Sequence, residues 1–417
     1  MRVSMILVSA ALLALGCSGS STLDTGPGGD VPIAFDGTVP PDWDVPEGQD
    51  AYIPIDADSG QLPEDGLDSG APDTAGVDIP SGSDTTGADT QSDKGDVGSV
   101  GGCEGCGTGI LKGLTCAPDG QTAIPDVRVW IETLDCDGNT VVLEAKSDAT
   151  GTYQLENVPC GLQTVNMEKG SFTGQFAVFV EQGMTTVASS NDRCFAANAA
   201  KIAVISGDWD DIEWFLDKLK LKYDWYDGIG EDDWSTEAEG FLNDSKELNK
   251  YDVIFINCGS SPANIMDSAV AANLKAFVAK GGSLYLSDYA FVYFEDTWPQ
   301  YVDFPADPYV VNGWQTANGT IVDPALVAYL GGLGNEQIDL KYDLGPLVKA
   351  ESIAPETMLH VEAYFPQQFK TTLPVMMSFK PEGIDGGRVV FTTFHNNEQA
   401  NQMVKLAKII NYLVFLL

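Results

Sequence analysis

The fold of the C-terminal half is set by Tyr251-Asp252-Val253-Ile254-Phe255-Ile256-Asn257 and Ser283-Leu284-Tyr285-Leu286-Ser287. Both stretches are short apolar runs, which are typical of strands buried on both faces of a parallel sheet. The segment between them, at about 264–280, is predicted to be a helix that ends at Gly281-Gly282. A strand, a helix and a strand in this order predict a βαβ unit whose two strands run parallel.

The same alternation of strands and helices continues in both directions. It predicts a buried strand at 201–206, an amphipathic helix at 212–219, a strand at 387–393 and a helix at 399–417. Asp210 and Asp211 can cap the start of the first of these helices. We therefore predict that residues 198–417 form a flavodoxin-like α/β domain, a doubly wound parallel sheet with helices on both faces.

Three stretches of this region, 251–259, 274–288 and 387–398, resemble the class I glutamine-amidotransferase-like domains. The resemblance is strongest to the trehalose-utilisation-protein-like branch and spans most of 200–417, with an unmatched middle at about 295–360. It implies an amidotransferase-like architecture for the whole domain. In active members, a cysteine on a sharp strand-to-helix turn is activated by a histidine and an acid.

A ligand pocket is predicted at one edge of this sheet, because ligands of open parallel sheets bind beyond the carboxyl ends of the strands. The loops that follow the predicted strands supply the polar and thiol side chains of Asp208, Asp210, Cys258, Ser260, Asp288 and Tyr289. His395 follows the last strand and can join them.

The turn that corresponds to the amidotransferase nucleophile carries Ser287-Asp288-Tyr289, so the cysteine is missing there. His395 and Glu398 resemble the His-x-Glu pair of the family, with one extra residue between them. A triad of Ser287, His395 and Glu398 is conceivable, but no Gly-x-Ser-x-Gly elbow surrounds Ser287.

Simpler interpretations exist for the same side chains. Cys258 can be a small buried thiol, His395 a satisfied histidine at the pocket edge, and the aspartates helix caps. The chain has two histidines, which excludes a site that needs three. No metal site and no cofactor are predicted, although the carboxylates of Asp208, Asp210 and Asp288 leave a weak Ca²⁺ site open.

Residues 103–197 have a different pattern, with short alternating runs separated by turn signals such as Asp137-Gly138-Asn139. This pattern is typical of an antiparallel β-sandwich. The stretch 147–161, together with 120–129, resembles the carboxypeptidase regulatory-like domain. That resemblance implies a transthyretin-like sandwich of seven strands that serves as an accessory or ligand-binding module without a peptidase site.

Six cysteines lie close together in this region: Cys103, Cys106, Cys116, Cys136, Cys160 and Cys194. In an exported protein such a cluster predicts three disulfides, whose pairing the sequence leaves open among fifteen possibilities. A metal knuckle or a redox motif at Cys103 and Cys106 is the alternative. No histidine lies nearby to complete a zinc site, and structural disulfides are favoured because an exported protein faces an oxidising compartment.

The first residues predict export and lipidation. Residues 3–15 are an apolar run too short to span a bilayer, and they end in Ala14-Leu15-Gly16-Cys17. This ending resembles the lipobox of bacterial lipoproteins, which implies a signal peptide at 1–16 and acyl chains, palmitate among them, on Cys17. Within that family Ser18 implies sorting to the outer membrane, facing the periplasm or the cell surface.

The following segment, 17–102, is predicted to be the lipidated N-terminus and a disordered acidic linker. Residues 18–102 contain 18 Asp and Glu but one Lys, and they are rich in Gly, Pro, Ser and Thr. The whole chain has a formal charge of −39, and residues 103–417 retain −23 of it. Such a charge repels phosphate backbones, so no nucleic-acid partner is expected.

We therefore expect a surface-anchored envelope lipoprotein that acts as a non-catalytic ligand- or partner-binding module. Its partners would be the membrane, through the lipid anchor, and an envelope glycan or protein. The alternative is a hydrolase acting on an envelope carbohydrate or amide through Ser287 and His395.

Overall fold

The computed structural model describes residues 107–417 except 136–137, 190–191, 230–236, 260–266, 307, 311–314, 333–336, 343–346, 397–398 and 400–403. The predictions for residues 1–106 lie outside the described residues, as do those for Cys136, Ser260 and Glu398. Within the described part, no helix is both long and apolar enough to cross a membrane.

Seven strands form two small sheets at the start of the described chain. Their bounds are β1 Thr108–Leu114, β2 Arg128–Leu134, β3 Thr140–Lys146, β4 Thr152–Pro159, β5 Gly161–Lys169, β6 Phe172–Val180 and β7 Thr185–Val187. The order is β4-β1-β7 in one sheet and β3-β2-β5-β6 in the other. Antiparallel pairing, as predicted, joins all of these neighbours except β1 and β7, which are parallel. The turn after β6 carries the chain to the other sheet, where β7 runs alongside β1.

The clustered cysteines include one fully described disulfide, between Cys116 and Cys194, which confirms the prediction for these two residues. Cys160 is disulfide-bonded as well. Cys258 is the free cysteine of the described chain and is buried.

The remaining strands build one large mixed sheet and two short ribbons. Their bounds are β8 Ile202–Ile205, β9 Tyr223–Tyr226, β10 Val253–Ile256, β11 Ser283–Ser287, β12 Val302–Asp303, β13 Tyr309–Val310, β14 Gln315–Ile321, β15 Gln337–Tyr342, β16 Leu347–Val348, β17 Ser352–Ile353, β18 Met358–Phe365, β19 Thr371–Phe379 and β20 Val389–Thr392. The large sheet has the order β15-β14-β18-β19-β20-β11-β10-β8-β9, and β12-β17 and β13-β16 form the ribbons.

This sheet corrects the prediction of a wholly parallel one. Strands β9, β8, β10, β11 and β20 are parallel neighbours, whereas β19, β18, β14 and β15 extend the sheet with antiparallel pairs. The parallel and antiparallel strands differ in how their two faces are buried. Strands β8, β10, β11 and β20 are buried at every position, while β14 and β15 alternate between buried and exposed residues, as antiparallel strands with one solvated face do.

Helices connect and cover these strands. Their bounds are α1 Glu213–Lys218, α2 Glu237–Asn243, α3 Ser245–Leu248, α4 Ser268–Ala279, α5 Phe291–Glu295, α6 Pro324–Tyr329 and α7 Val404–Val414, with short 3-10 helices at Asp288–Ala290 and Gly383–Asp385. Ile212 directly precedes helix α1 and makes no side-chain cap bond, but Asp211, one of the two predicted capping residues, bonds to an amide of the first turn. Asp211 accepts a hydrogen bond from Trp214 N, and Asn257 Oδ1 accepts one from Ile212 N.

Within the described chain, the small sheets and the large sheet belong to one compact unit. The backbone of Ser171, just before β6, donates a hydrogen bond of 2.7 Å to Leu417 O. The rings of Phe172 and Phe415 lie beside this contact, with centroids 4.8 Å apart. The segment after α7 therefore packs directly against the four-stranded sheet.

Candidate functional site

Three side chains meet where three parallel strands end. Cys258 follows β10, Asp288 follows β11 and His395 follows β20, and all three are almost completely buried. Asp288 Oδ2 lies 3.7 Å from Cys258 Sγ and 3.2 Å from His395 Nε2. Because neighbouring parallel strands end at the same edge, the sheet itself brings these groups together.

Asp288 occupies a sharp turn between β11 and the 3-10 helix that follows it. Its φ of 40° lies in the left-handed region, which an aspartate rarely adopts. Its second carboxylate oxygen, Oδ1, accepts a hydrogen bond of 2.9 Å from the backbone N–H of Val348. The carboxylate is therefore held from one side by the backbone, while Oδ2 faces Cys258 and His395.

Cys258 is fixed by backbone contacts on both sides. Its N–H donates to Ser287 Oγ at 3.0 Å, and its carbonyl accepts from Trp209 N at 3.2 Å. A Cβ atom at Gly207 would lie 2.0 Å from the carbonyl oxygen of Cys258, so this approach of the two loops requires glycine. Burial raises the pKa of the Cys258 thiol to about 12, and the neighbouring His395 opposes that shift. Without a further ligand the thiol is protonated at neutral pH.

A second polar network fixes the loop that carries His395. Both oxygens of the buried Asp210 accept hydrogen bonds from Asn396: Oδ1 from its backbone N at 2.8 Å and Oδ2 from its side-chain amide at 2.9 Å. The amide nitrogen of Asn396 also lies 2.6 Å from the hydroxyl of Tyr285, which in turn lies 2.8 Å from Thr392 Oγ1. The loops after β8 and β20 are therefore joined rigidly behind the three central side chains.

Asn257 links the end of β10 to helix α1. Besides accepting from Ile212 N, its amide donates to Glu213 Oε2 at 2.7 Å. Burial raises the pKa of the Glu213 carboxyl to about 7, although the bond from Asn257 favours the ionised form. This contact orients the first turn of α1 beside the site.

The predicted site residues have different positions in the structure. Cys258, Asp288 and His395 form the central cluster, and Asp210 supports it through Asn396. The fully buried Ser287 accepts the Cys258 N–H through its hydroxyl, while Asp208 is exposed and Tyr289 is half-buried at the same edge. Among the described residues, Cys258, Asp288 and His395 are the one group of three possible metal ligands with donor atoms within 4.8 Å of one another.

Sequence reasoning missed the supporting residues Asn257, Tyr285, Val348 and Asn396. Asn257 and Asn396 could have been found from their positions, since Asn257 is the polar end of a predicted strand and Asn396 directly follows the candidate His395. Val348 contacts Asp288 through its backbone N–H. Every residue except proline has this group, so the sequence does not reveal such a contact.

Comparisons with known proteins give structural similarity alone. No family model and no curated protein matches the chain. A cytoplasmic protein from Salmonella typhimurium is similar at 13% identity and a TM-score of 0.35, over 52% of this chain and 98% of its own. A GMP-synthase-type protein from Thermoplasma acidophilum is 14% identical, with a TM-score of 0.35 and coverages of 52% and 93%. PurLQS from Thermotoga maritima is 10% identical, with a TM-score of 0.32 and coverages of 51% and 98%.

Proposed function

We propose that the protein is an exported, lipid-anchored lipoprotein whose α/β part is a degenerate, amidotransferase-like domain that binds a ligand without catalysing its conversion. The architecture we propose for its parallel half is flavodoxin-like, and for the seven-stranded part carboxypeptidase regulatory-like. A glycan or a protein of the envelope stays the predicted partner of the exposed surface.

The observation that carries this proposal is the identity and burial of the residue at the turn after β11. An active amidotransferase presents a cysteine on a sharp turn of this kind, and here the turn carries Asp288, whose carboxylate accepts from Val348 N. Ser287 and Cys258, the nearest possible nucleophiles, are 0% and 3% exposed. Nucleophiles buried to this extent do not reach a substrate, so the arrangement favours binding over turnover.

Turnover assays test this proposal. We expect the full-length protein to release ammonia from glutamine, and to hydrolyse p-nitrophenyl acetate and p-nitrophenyl glycosides, no faster than its Ser287→Ala and His395→Ala variants. Ser245→Ala, a change of an exposed serine on α3, serves as the matched control. Turnover that is present in the wild type and in Ser245→Ala, but falls at least 100-fold in both site variants, would establish a hydrolase instead.

Membrane fractionation tests the anchor separately. We expect the wild type to sediment with membranes and Cys17→Ser to move to the soluble fraction, because removal of the acyl chains removes their transfer free energy of about 0.8 kcal/mol per methylene. Cys258→Ser is the control and should remain with the membranes. Equal sedimentation of wild type and Cys17→Ser would contradict a lipid on Cys17.

A further inference from the structure

We propose that Cys258, Asp288 and His395 form a binding site for one divalent transition metal ion of the zinc type. This inference deepens the proposed function, because it names the chemical class of ligand for the same site, and it departs from the sequence-based expectation of no metal. It is carried by the spacing of the three donor atoms, by their chemical types and by the way the surrounding residues hold them.

The spacing of the donor atoms fits a tetrahedral ion. A zinc ion with bonds of about 2.3 Å to sulfur, and about 2.0–2.1 Å to nitrogen and oxygen, places its sulfur and oxygen ligands about 3.5 Å apart and its nitrogen and oxygen ligands about 3.3 Å apart. The corresponding separations here are 3.7 Å from Cys258 Sγ to Asp288 Oδ2 and 3.2 Å from His395 Nε2 to Asp288 Oδ2. These two separations are within a few tenths of an ångström of the tetrahedral values, and the third, between Cys258 Sγ and a ring nitrogen of His395, is within 4.8 Å.

The donor types select the class of ion. A thiolate with an imidazole suits zinc, cobalt and related ions, whereas Ca²⁺ and Mg²⁺ require oxygen ligands. Three protein ligands leave a fourth tetrahedral position, which a water molecule can fill. When the ion binds, the S–H proton of Cys258 leaves to solvent and a sulfur–metal bond forms, while the neutral imidazole of His395 binds through Nε2 with its ring proton on Nδ1. The charges of the thiolate and of the Asp288 carboxylate then balance the two charges of the ion.

The residues around the ligands already hold them in place. Asp288 Oδ1 is occupied by the Val348 N–H, which directs Oδ2 toward the other two ligands. Ser287 Oγ holds the backbone of Cys258, and Asp210 holds Asn396, the residue next to His395. Outer contacts of this kind are typical of metal sites, where they orient the ligands before the ion binds. A network of hydrogen bonds among the three side chains without any ion is the alternative.

Spectroscopy with Co²⁺ distinguishes a metal site from a network of hydrogen bonds without an ion. Full-length protein, stripped with EDTA, is titrated with Co²⁺ and then with Zn²⁺. We expect one Co²⁺ per chain with a thiolate-to-cobalt charge-transfer band and the intense visible bands of a tetrahedral ion, and we expect Zn²⁺ to displace it. The charge-transfer band should be lost in Cys258→Ser, and Asp288→Asn and His395→Ala should weaken binding at least 10-fold. Asp208→Asn, which removes an exposed carboxylate at the same edge, is the matched control and should change affinity less than twofold.

Two results would overturn the site: wild-type spectra without a thiolate band, or an affinity for Zn²⁺ that Cys258→Ser leaves unchanged. The wild-type spectrum decides the question even if a variant fails to fold. Failure here is distinguishable from failure of the proposed function. Zinc-loaded protein that hydrolyses the substrates named above would retain the metal site and refute the non-catalytic role. Protein without turnover and without a metal band would refute the metal site and leave the non-catalytic role standing.

Discussion

Replacing His360 with alanine should lower the free energy of unfolding by about 4 kcal/mol, because the change leaves a buried carboxylate without its main partner. His360 lies on β18 and is completely buried. Its Nδ1 is 2.7 Å from Asp323 Oδ2, and its Nε2 is 2.8 Å from Ser378 Oγ. Chemical denaturation of wild type and variant at pH 7 measures the loss, and a difference below about 1 kcal/mol would show that the pair is not important for stability.

The same pair should make stability depend on pH in the acid range. Burial alone would raise the pKa of Asp323, but the hydrogen bond and charge of His360, with bonds from Ala325 N and Tyr412, outweigh burial and lower this pKa below its ordinary value of 3.8. A carboxyl whose pKa is lower in the folded state contributes stability above its unfolded pKa, and the contribution is lost as the pH falls through the folded value. The stability advantage of wild type over Asp323→Asn, about 2 kcal/mol at pH 7, should therefore shrink below pH 3.8.

A matched variant separates this effect from helix capping. Asp323 is the N-cap residue of α6, where its side chain accepts from Ala325 N, and asparagine caps almost as well. Asp267 has the same role at α4, accepting from Ala269 N and Val270 N, but it is exposed and has no buried histidine beside it. Asp267→Asn should change stability by a few tenths of a kcal/mol. An equal loss in both variants would assign the effect to the caps.

The sequence predicted the parallel half of the large sheet better than its antiparallel half. Strands β8, β10, β11 and β20 are apolar at nearly every position, because both of their faces are covered, and this pattern is visible without a structure. Strands β14 and β15 lie in a region where the predicted domain had no matching pattern. Their antiparallel pairing connects residues such as Asn318 and Asp339 through a long connection, which local periodicity does not show.

The sequence predicted which loops lie together at the edge of the sheet, but it did not predict which side chains contact one another there. The rule that ligands bind at strand ends directs attention to Cys258, Asp288 and His395, whose side chains the structure brings together. It does not decide which side chain of the turn faces the histidine, because that direction depends on the backbone conformation of the turn and not on the strand before it. Ser287 therefore points to the Cys258 backbone, while Asp288, in its left-handed conformation, points to the histidine. The contact between Asp210 and Asn396 spans 186 residues and depends on the completed sheet.

The disulfide and the contacts beside it help to explain why the seven-stranded part and the large sheet form one compact unit. Cys194 lies in the segment that leaves the seven-stranded part, directly before Phe195, whose ring is 6.4 Å from that of Phe415 beyond α7. The N–H of Phe195 donates to Cys116 O at 2.8 Å. A bond that fixes Cys194 against the end of β1 therefore also fixes the start of the chain that leads into β8. Loss of the disulfide should therefore destabilise both the seven-stranded part and the large-sheet part.

The double variant Cys116→Ala/Cys194→Ala should accordingly unfold with a free energy about 4 kcal/mol lower than that of wild type. The bond closes a loop across a sequence separation of 78 residues, and in the chain-entropy account a loop of this length restricts the unfolded chain by about 4 kcal/mol. Denaturation under oxidising conditions measures the loss. Both variants are compared with wild type in EDTA, so that no bound metal contributes to stability. Cys258→Ala is the matched control, since it removes a buried cysteine that closes no loop, and it should cost about 1 kcal/mol under these conditions. If the double variant lost no more than this control, the disulfide would not be a main source of stability.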